Sequence, residues 1–389
     1  MDNFSFKIYV YNFIKIHLIL FLFSLIIIES KIDRQGPEII GDGFMNVSIV
    51  GATGYGGMEL IRFLNNHPQF KIKSLHTSSQ FGRSLYEENA HLMHMKDTLE
   101  EIDPEAIAKK SDIVFLATPS GVSSQLISEF SDLDIKVIDL SGDLRLQTPG
   151  EYENWYKKPA APQHIIEEAV YGLAEWNAEA IKKATIIANP GCYPTASLLG
   201  LAPLFTEGLA GADADVIIDA KSGVSGAGKS PSAVTHFSEM NENFKIYKVN
   251  QHQHIPEIEQ QLGRWSSGLQ PITFNTHLVP MTRGIMATMY IKVNRETSNV
   301  ELKDLYETVY ENHPFVRVQP LDRFPSTKQV YGSNFCDIGV DYDERTGKVT
   351  VVSVIDNLVK GAAGQAIQNA NILMGLEETA GLWNSPLYP

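Results

Sequence analysis

The stretch Val47-Ser48-Ile49-Val50-Gly51-Ala52-Thr53-Gly54-Tyr55-Gly56-Gly57, continuing Met58-Glu59-Leu60-Ile61-Arg62-Phe63-Leu64, decides the fold. Val47 to Val50 is a short apolar run of strand length, and Met58 to Leu64 places apolar residues at helical spacing. Gly51, Gly54 and Gly57 lie between them in a G-x-x-G-x-x-G pattern, a variant of the dinucleotide fingerprint. Strand, glycine turn and helix in that order let the backbone approach a pyrophosphate, whose charge then sits on the helix N-terminus. Gly51, Thr53, Gly54, Tyr55, Gly56 and Gly57 are therefore expected to bind a cofactor.

Working outward, the next strand is expected over Lys71 to His76. An NAD site offers an acidic side chain at that strand end. This chain offers Thr77, Ser78, Ser79 and Arg83, with no carboxylate between Lys71 and Tyr86. Hydroxyls and a guanidinium suit a 2′-phosphate, so NADP(H) is the expected cofactor. A solvated loop that touches nothing is the other reading of these four residues. The run Ile113 to Ala117 reads as a strand ending in the small residues Thr118 and Pro119, as a sheet edge facing a cofactor requires. A helix over Gly121 to Phe130 and a strand over Ile135 to Leu140 follow, and this alternation predicts a doubly wound parallel sheet. Asp139 to Arg145 then either lines the cleft or braces a loop with an ion pair.

Past residue 190 the pattern changes. Strands are expected at Ala214 to Lys221, Phe244 to Val249, Ile272 to Val279, Ile285 to Val293, Asn334 to Val340 and Val349 to Ile355, with helices at Glu257 to Trp265 and Asn299 to Asn312. Long strands with few helices between them predict an α+β domain on a mostly antiparallel sheet, with an exposed face suited to a dimer interface. The whole is α/β: a Rossmann-type NADP-binding domain over 45–190, completed by the C-terminal helix of 356–389, and a catalytic and dimerisation domain over 191–355.

The chemistry centres on Ile187-Ala188-Asn189-Pro190-Gly191-Cys192-Tyr193-Pro194-Thr195-Ala196. A β-branched run leads in, Asn-Pro-Gly turns the chain, and a small and apolar run leads out, so Cys192 falls at or just before a helix start. Unpaired N–H groups and the dipole favour the thiolate there, and the thiolate is the nucleophile. The turn alone fits equally a small buried hydrophobe. Proton-transfer partners for a reactive thiol are His252 and His254, which share a face if Gln251 to Glu257 is extended. Paired histidines also raise a metal reading, but no third ligand cluster lies nearby in sequence, so no metal is expected. The loop Ser222 to Ser230 is small, hydroxyl-rich and ends near Lys229; it either cradles a phosphate through backbone N–H groups or is a flexible connector. Arg283 follows a strand and is the candidate to grip an anionic substrate, unless it is a surface arginine.

Composition sets limits. The chain has 389 residues, of which 43% are hydrophobic and 20% charged, enough for two or three domains of ~150 residues. A net charge of −14 argues against a nucleic-acid surface. Two cysteines cannot build a disulfide framework, so a reducing compartment is expected. The apolar run Ile16 to Ile28 is shorter than the ~20 residues of a spanning helix and precedes no small-x-small cleavage site. Met45 stands directly before the first strand, so residues 1–44 read as an extension from a wrongly chosen start codon rather than a targeting segment. No stable membrane association is expected.

Thiolate plus nicotinamide is the pairing that interconverts an acyl group and an aldehyde. Ile187 to Ala196, continuing to Gly200-Leu201-Ala202-Pro203, resembles the active-site signature of the N-acetyl-gamma-glutamyl-phosphate reductases. Met45 to Gly57, Lys221 to Gly228, His252 to Glu259, His277 to Ile285 and Asp356 to Gln368 resemble that family in the same order. The resemblance implies NADPH-dependent reduction of N-acetyl-L-glutamyl 5-phosphate to the 5-semialdehyde and phosphate, a step of arginine biosynthesis, in a cytoplasmic homodimer or homotetramer. It implies Cys192 as nucleophile and His252 or His254 as proton carrier, with His252 favoured. It adds Ser222, Gly223 and Asn357 to the cofactor residues, and Ser225 and Gly226 beside Arg283 to the substrate residues. The rival readings are a reductase of carrier-linked aminoadipyl phosphate in lysine biosynthesis, an aspartate-semialdehyde dehydrogenase with another cysteine context, and a non-catalytic nucleotide sensor.

Overall fold

Residues 43–388 are described by a computed structural model; the expected extension lies outside them except for residues 43 and 44. The first sheet contains β1 (Met45–Val50), β2 (Phe70–His76), β3 (Leu99–Glu100), β4 (Ile113–Leu116), β5 (Lys136–Asp139), β6 (Val170–Tyr171) and β7 (Ile186–Ala188). Their order is β3-β2-β1-β4-β5-β7-β6, and every pairing is parallel. Every residue of β4 is buried, as expected where helices cover both faces. Helices α1 (Tyr55–Leu64), α2 (Ser123–Phe130) and α3 (Ala174–Ile181) belong to this half. The chain leaves β1 for β2 on one side and reaches β4 on the other, so the glycine turn sits at the switch point where such sheets bind ligands.

Helix α4 (Cys192–Thr206) follows β7 after a three-residue turn, and every residue from Tyr193 to Phe205 is buried. It is apolar all round, the pattern of a helix packed on every side. A Cβ on Gly200 would stand 2.3 Å from Met289 Cε and 3.2 Å from Ser353 Cβ, so the helix packs closely on the second sheet there. Pro203 cannot donate to the Leu199 carbonyl one turn back. The Tyr310 hydroxyl donates to that oxygen instead, at 2.5 Å, and Tyr306 donates to the Gly200 carbonyl at 2.6 Å.

The second sheet holds β8 (Val216–Ser222), β9 (Lys245–Tyr247), β10 (Thr273–Leu278), β11 (Ile285–Lys292), β12 (Val316–Val318), β13 (Cys336–Asp343) and β14 (Lys348–Ile355), in the order β12-β13-β14-β11-β8-β10-β9. It is mostly antiparallel; only β12 with β13 and β8 with β10 run parallel. Alternating inward residues, such as Ile285, Ala287, Met289 and Ile291 of β11, join α4, α5 (Ile255–Trp265) and α6 (Asn299–Tyr310) in one core. A π-helical turn (Val359–Ala363) and α7 (Gly364–Leu373) close the fold. Ala366, Ile367 and Ala370 of α7 share a core with Val47 and Ile49 of β1, so the C-terminal helix packs back on the first sheet. Among the described residues no helix is long and apolar enough to cross a membrane.

Candidate active site

Cys192 occupies the first position of α4 and lines a cavity of about 640 Å³. Gly54, Tyr55 and Gly56 of the glycine turn, Thr118 and Pro119 after β4, Ser225 and Gly226 after β8, and His254 and Asn357 line the same cavity. Segments remote in sequence thus meet beyond the carboxyl ends of the parallel strands.

The glycine turn fits a dinucleotide. Gly51 has φ +87°, and a Cβ there would stand 2.3 Å from the Ala117 carbonyl oxygen. A Cβ on Gly57 would stand 2.3 Å from the Gly51 carbonyl oxygen, which closes the turn on the helix. Gly54 and Gly56 differ, since Cβ atoms there would meet nothing nearer than 3.5 and 3.9 Å. Gly54 also caps α1 with no side-chain acceptor, so the first N–H groups of the helix stay free for an anion.

The segment expected to take the 2′-phosphate lies at the carboxyl end of β2 but does not line the Cys192 cavity. Thr77 is buried and donates its N–H to Glu100 O at 3.1 Å, while Ser78 and Ser79 are exposed. Arg83 already pairs with Glu88. Glu88 lies just beyond Tyr86 in sequence, and a one-turn helix (Leu85–Glu88) brings it back to Arg83.

Electrostatics correct the expectation for the thiol. Burial pushes Cys192 up to about 11, although the Arg145 guanidinium and the N–H groups of Tyr193 and Cys192 pull it down. Desolvation outweighs the helix start and favours the thiol. His254 is buried, and burial together with His252 and Arg145 keeps its imidazole neutral, well below the usual range. The two histidines do not share a face of an extended segment. Residues 251–254 form a turn into α5, where Pro256 sets the first helical turn, and the rings lie 4.7 Å apart. His254 lines the cavity; His252 lies outside its lining, accepting the His254 N–H at 3.2 Å. Of the two histidines, only His254 lines the cavity that holds Cys192.

Arg145 and Glu257 hold this arrangement together. Arg145 donates from Nε to Asn189 O at 2.8 Å and from Nη2 to Leu140 O at 3.1 Å, and its Nη1 is 3.3 Å from Glu257 Oε2. Glu257 Oε1 accepts the Gly191 N–H at 2.8 Å and the Tyr171 hydroxyl at 2.7 Å. The charge of Arg145 is held high, against its own desolvation, by Glu257. A Cβ on Gly191 would stand 2.6 Å from His254 Nε2 and 2.9 Å from Arg145 Nη1. Gly361 of the π-helical turn presses from the other side, where a Cβ would come within 2.7 Å of Cys192 Cβ.

Arg283 does not line the cavity. Its guanidinium lies 2.5 Å from Glu59 and 3.7 Å from Asp356, so it joins α1 to the start of the C-terminal segment. Ser222 and Gly223 also lie outside the lining; the Ser222 hydroxyl donates to Gly223 O at 2.9 Å. Asn357 ties the site together, donating to Ser225 Oγ at 3.0 Å and accepting the Gly284 N–H at 2.8 Å. Cys336 is buried, and its thiol is pushed up to about 12, which suits packing rather than chemistry.

The family model described as "Semialdehyde dehydrogenase, NAD binding domain" matches residues 46–184, and "Semialdehyde dehydrogenase, dimerisation domain" matches residues 192–357. A Geobacillus sp. (strain WCH70) protein named N-acetyl-gamma-glutamyl-phosphate reductase is 60% identical over 346 residues, 89% of this chain and 100% of its own length. The chain belongs to the N-acetyl-gamma-glutamyl-phosphate reductase family. A second member, from Bacillus cereus (strain B4264), is 58% identical over 345 residues, 88% of this chain and all of its own. Among solved structures, aspartate semialdehyde dehydrogenase II of Vibrio cholerae is 18% identical with a TM-score of 0.65, covering 85% of this chain and 98% of that one. The Candida albicans aspartate semialdehyde dehydrogenase with NADP is 16% identical with a TM-score of 0.63, covering 85% and 99%. These distant structures share the fold of the reductase family.

Proposed function

We propose that the chain reduces N-acetyl-L-glutamyl 5-phosphate with NADPH to N-acetyl-L-glutamate 5-semialdehyde and phosphate, in arginine biosynthesis. The observation that carries this reading is one cavity lined by Cys192, His254 and the glycine turn Gly54 to Gly56. Residues 45–190 with 356–389 hold the cofactor, and 191–355 carry the thiol and the histidines. The matched dimerisation domain supports a homo-oligomer, which we take to be a dimer or tetramer in the cytoplasm.

Cys192 Sγ attacks the acyl carbon, and the neutral imidazole of His254 accepts the thiol proton as the carbon–sulfur bond forms. The carbon–oxygen bond to phosphate then breaks, and His254 returns the proton to the leaving oxygen. NADPH, when bound on the glycine turn, supplies the hydride that reduces the thioester carbon. Collapse of the thiohemiacetal on Cys192 releases the semialdehyde, and the thiolate takes a proton from water. Arg145 and Glu257 keep Gly191 in place throughout.

Run in reverse, the enzyme should reduce NADP⁺ only when N-acetylglutamate semialdehyde and phosphate are both present. Cys192→Ala should abolish that signal, and a variant that kept most of its rate would disprove the covalent route. Activity only with a carrier-linked aminoadipyl substrate would assign the chain to the rival reductase.

A further inference from the structure

We propose that Lys229 is a cofactor-binding residue, whose ammonium holds the pyrophosphate of the dinucleotide on the glycine turn. The proposal rests on the dinucleotide reading of that turn. Lys229 belongs to the loop after β8, in the half of the chain that carries the thiol. Its Nζ nevertheless lies 3.3 Å from the carbonyl oxygen of Thr53, inside the glycine turn, and 3.3 Å from Asn89 Oδ1. Both acceptors are neutral. Among the described residues no carboxylate comes within ion-pair distance of this ammonium. An ammonium has three donors, and two long contacts to neutral oxygens leave it suited to an anion.

Its surroundings name the anion. Lys229 lines the same cavity as Gly54, Tyr55 and Gly56, where the uncapped start of α1 offers free N–H groups. Asn89 is buried, and its Nδ2 has no acceptor, so a further donor stands beside the ammonium. Arg83, the cation expected to meet the cofactor from the first half, is neutralised by Glu88. The free positive charge at the turn thus comes from the second half, on the loop that also brings Ser225 and Gly226 to the cavity.

A phosphate at this position has three sources: the pyrophosphate, the 2′-phosphate, and the phosphoryl group of the substrate. Equilibrium titration of nicotinamide fluorescence, with no acyl phosphate present, separates them. Lys229→Met should raise the Kd for NADPH and for NADH by the same factor, about tenfold, and weaken its salt dependence. Lys229→Arg should keep most of the affinity. A loss confined to NADPH would assign the residue to the 2′-phosphate and overturn the proposal. Unchanged Kd values with a raised KM for inorganic phosphate in the reverse reaction would assign it to the substrate and overturn the proposal equally. A wild-type protein that bound neither nucleotide would instead defeat the dinucleotide reading itself, and the proposal with it.

Discussion

At the residue scale, two opposed effects meet on one sulfur. The helix start and Arg145 favour the thiolate, burial favours the thiol, and burial wins, leaving Cys192 at about 11. Below that value the thiolate fraction rises tenfold per pH unit. Iodoacetamide alkylation of Cys192 in the free enzyme should therefore climb about tenfold per unit from pH 7 to 9; a plateau near pH 7 would show a resting thiolate. His254→Asn should lower kcat by about 10²–10⁴-fold, the range of general base catalysis, and His252→Asn by much less. Equal losses would return the role to the pair. Cys192 was legible because the turn, the helix start and the motif all lie within ten residues. Glu257 was not, since nothing local separates a buried carboxylate that receives Gly191, Tyr171 and Arg145 from a solvated one in a first helical turn. The ion pairs of Arg283 were hidden for the same reason: its partners, Glu59 and Asp356, are far from it in sequence.

At the element scale, α4 shows how a fully buried helix tolerates an internal proline. The Leu199 carbonyl has lost its helical donor to Pro203, and Tyr310 from α6 replaces it. Tyr310→Phe should leave that oxygen buried and unpaired and cost about 1–3 kcal/mol, read as a lowered Tm. Tyr306→Phe should cost less, because the Gly200 carbonyl keeps the Leu204 N–H one turn on. Similar losses in the two variants would count against this account. Most strands and helices follow from apolar periodicity, to within a residue or two at each end. The π-helical turn at Val359–Ala363 does not, because its extra residue reflects the packing of Gly361 on Cys192 and the buried pair of Lys360 with Glu175 at 2.5 Å. Gly361, Ala362, Ala363 and Gly364 permit close approach but do not name the neighbour.

At the scale of the whole molecule, the parallel half was readable from strand and helix alternation. The order of the second sheet was not, because β8 lies between an antiparallel and a parallel neighbour, and local pattern does not choose partners. The stability of the assembled chain should depend on acid. Burial lowers His67 to about 4, and its Nδ1 accepts the N–H groups of Gln69 and Phe70, a bond that protonation removes. Above pH 6.5 the group is neutral in both states and has no effect. Between pH 6.5 and 4 the unfolded chain binds the proton and the folded chain does not, so stability falls with pH and the loss levels off below about 4. His67→Gln should shrink the drop in Tm between pH 7 and 5; an unchanged drop would place the acid sensitivity elsewhere. A last consequence follows from Glu257, which joins Arg145, Tyr171 and Gly191 across separations of 112, 86 and 66 residues. Contacts this remote close late in folding. During synthesis Cys192 leaves the ribosome well before His254, Glu257 and Gly361, so the nascent chain carries an unassisted thiol until translation is nearly complete. Refolding monitored by enzyme activity should accordingly lag behind refolding monitored by secondary structure.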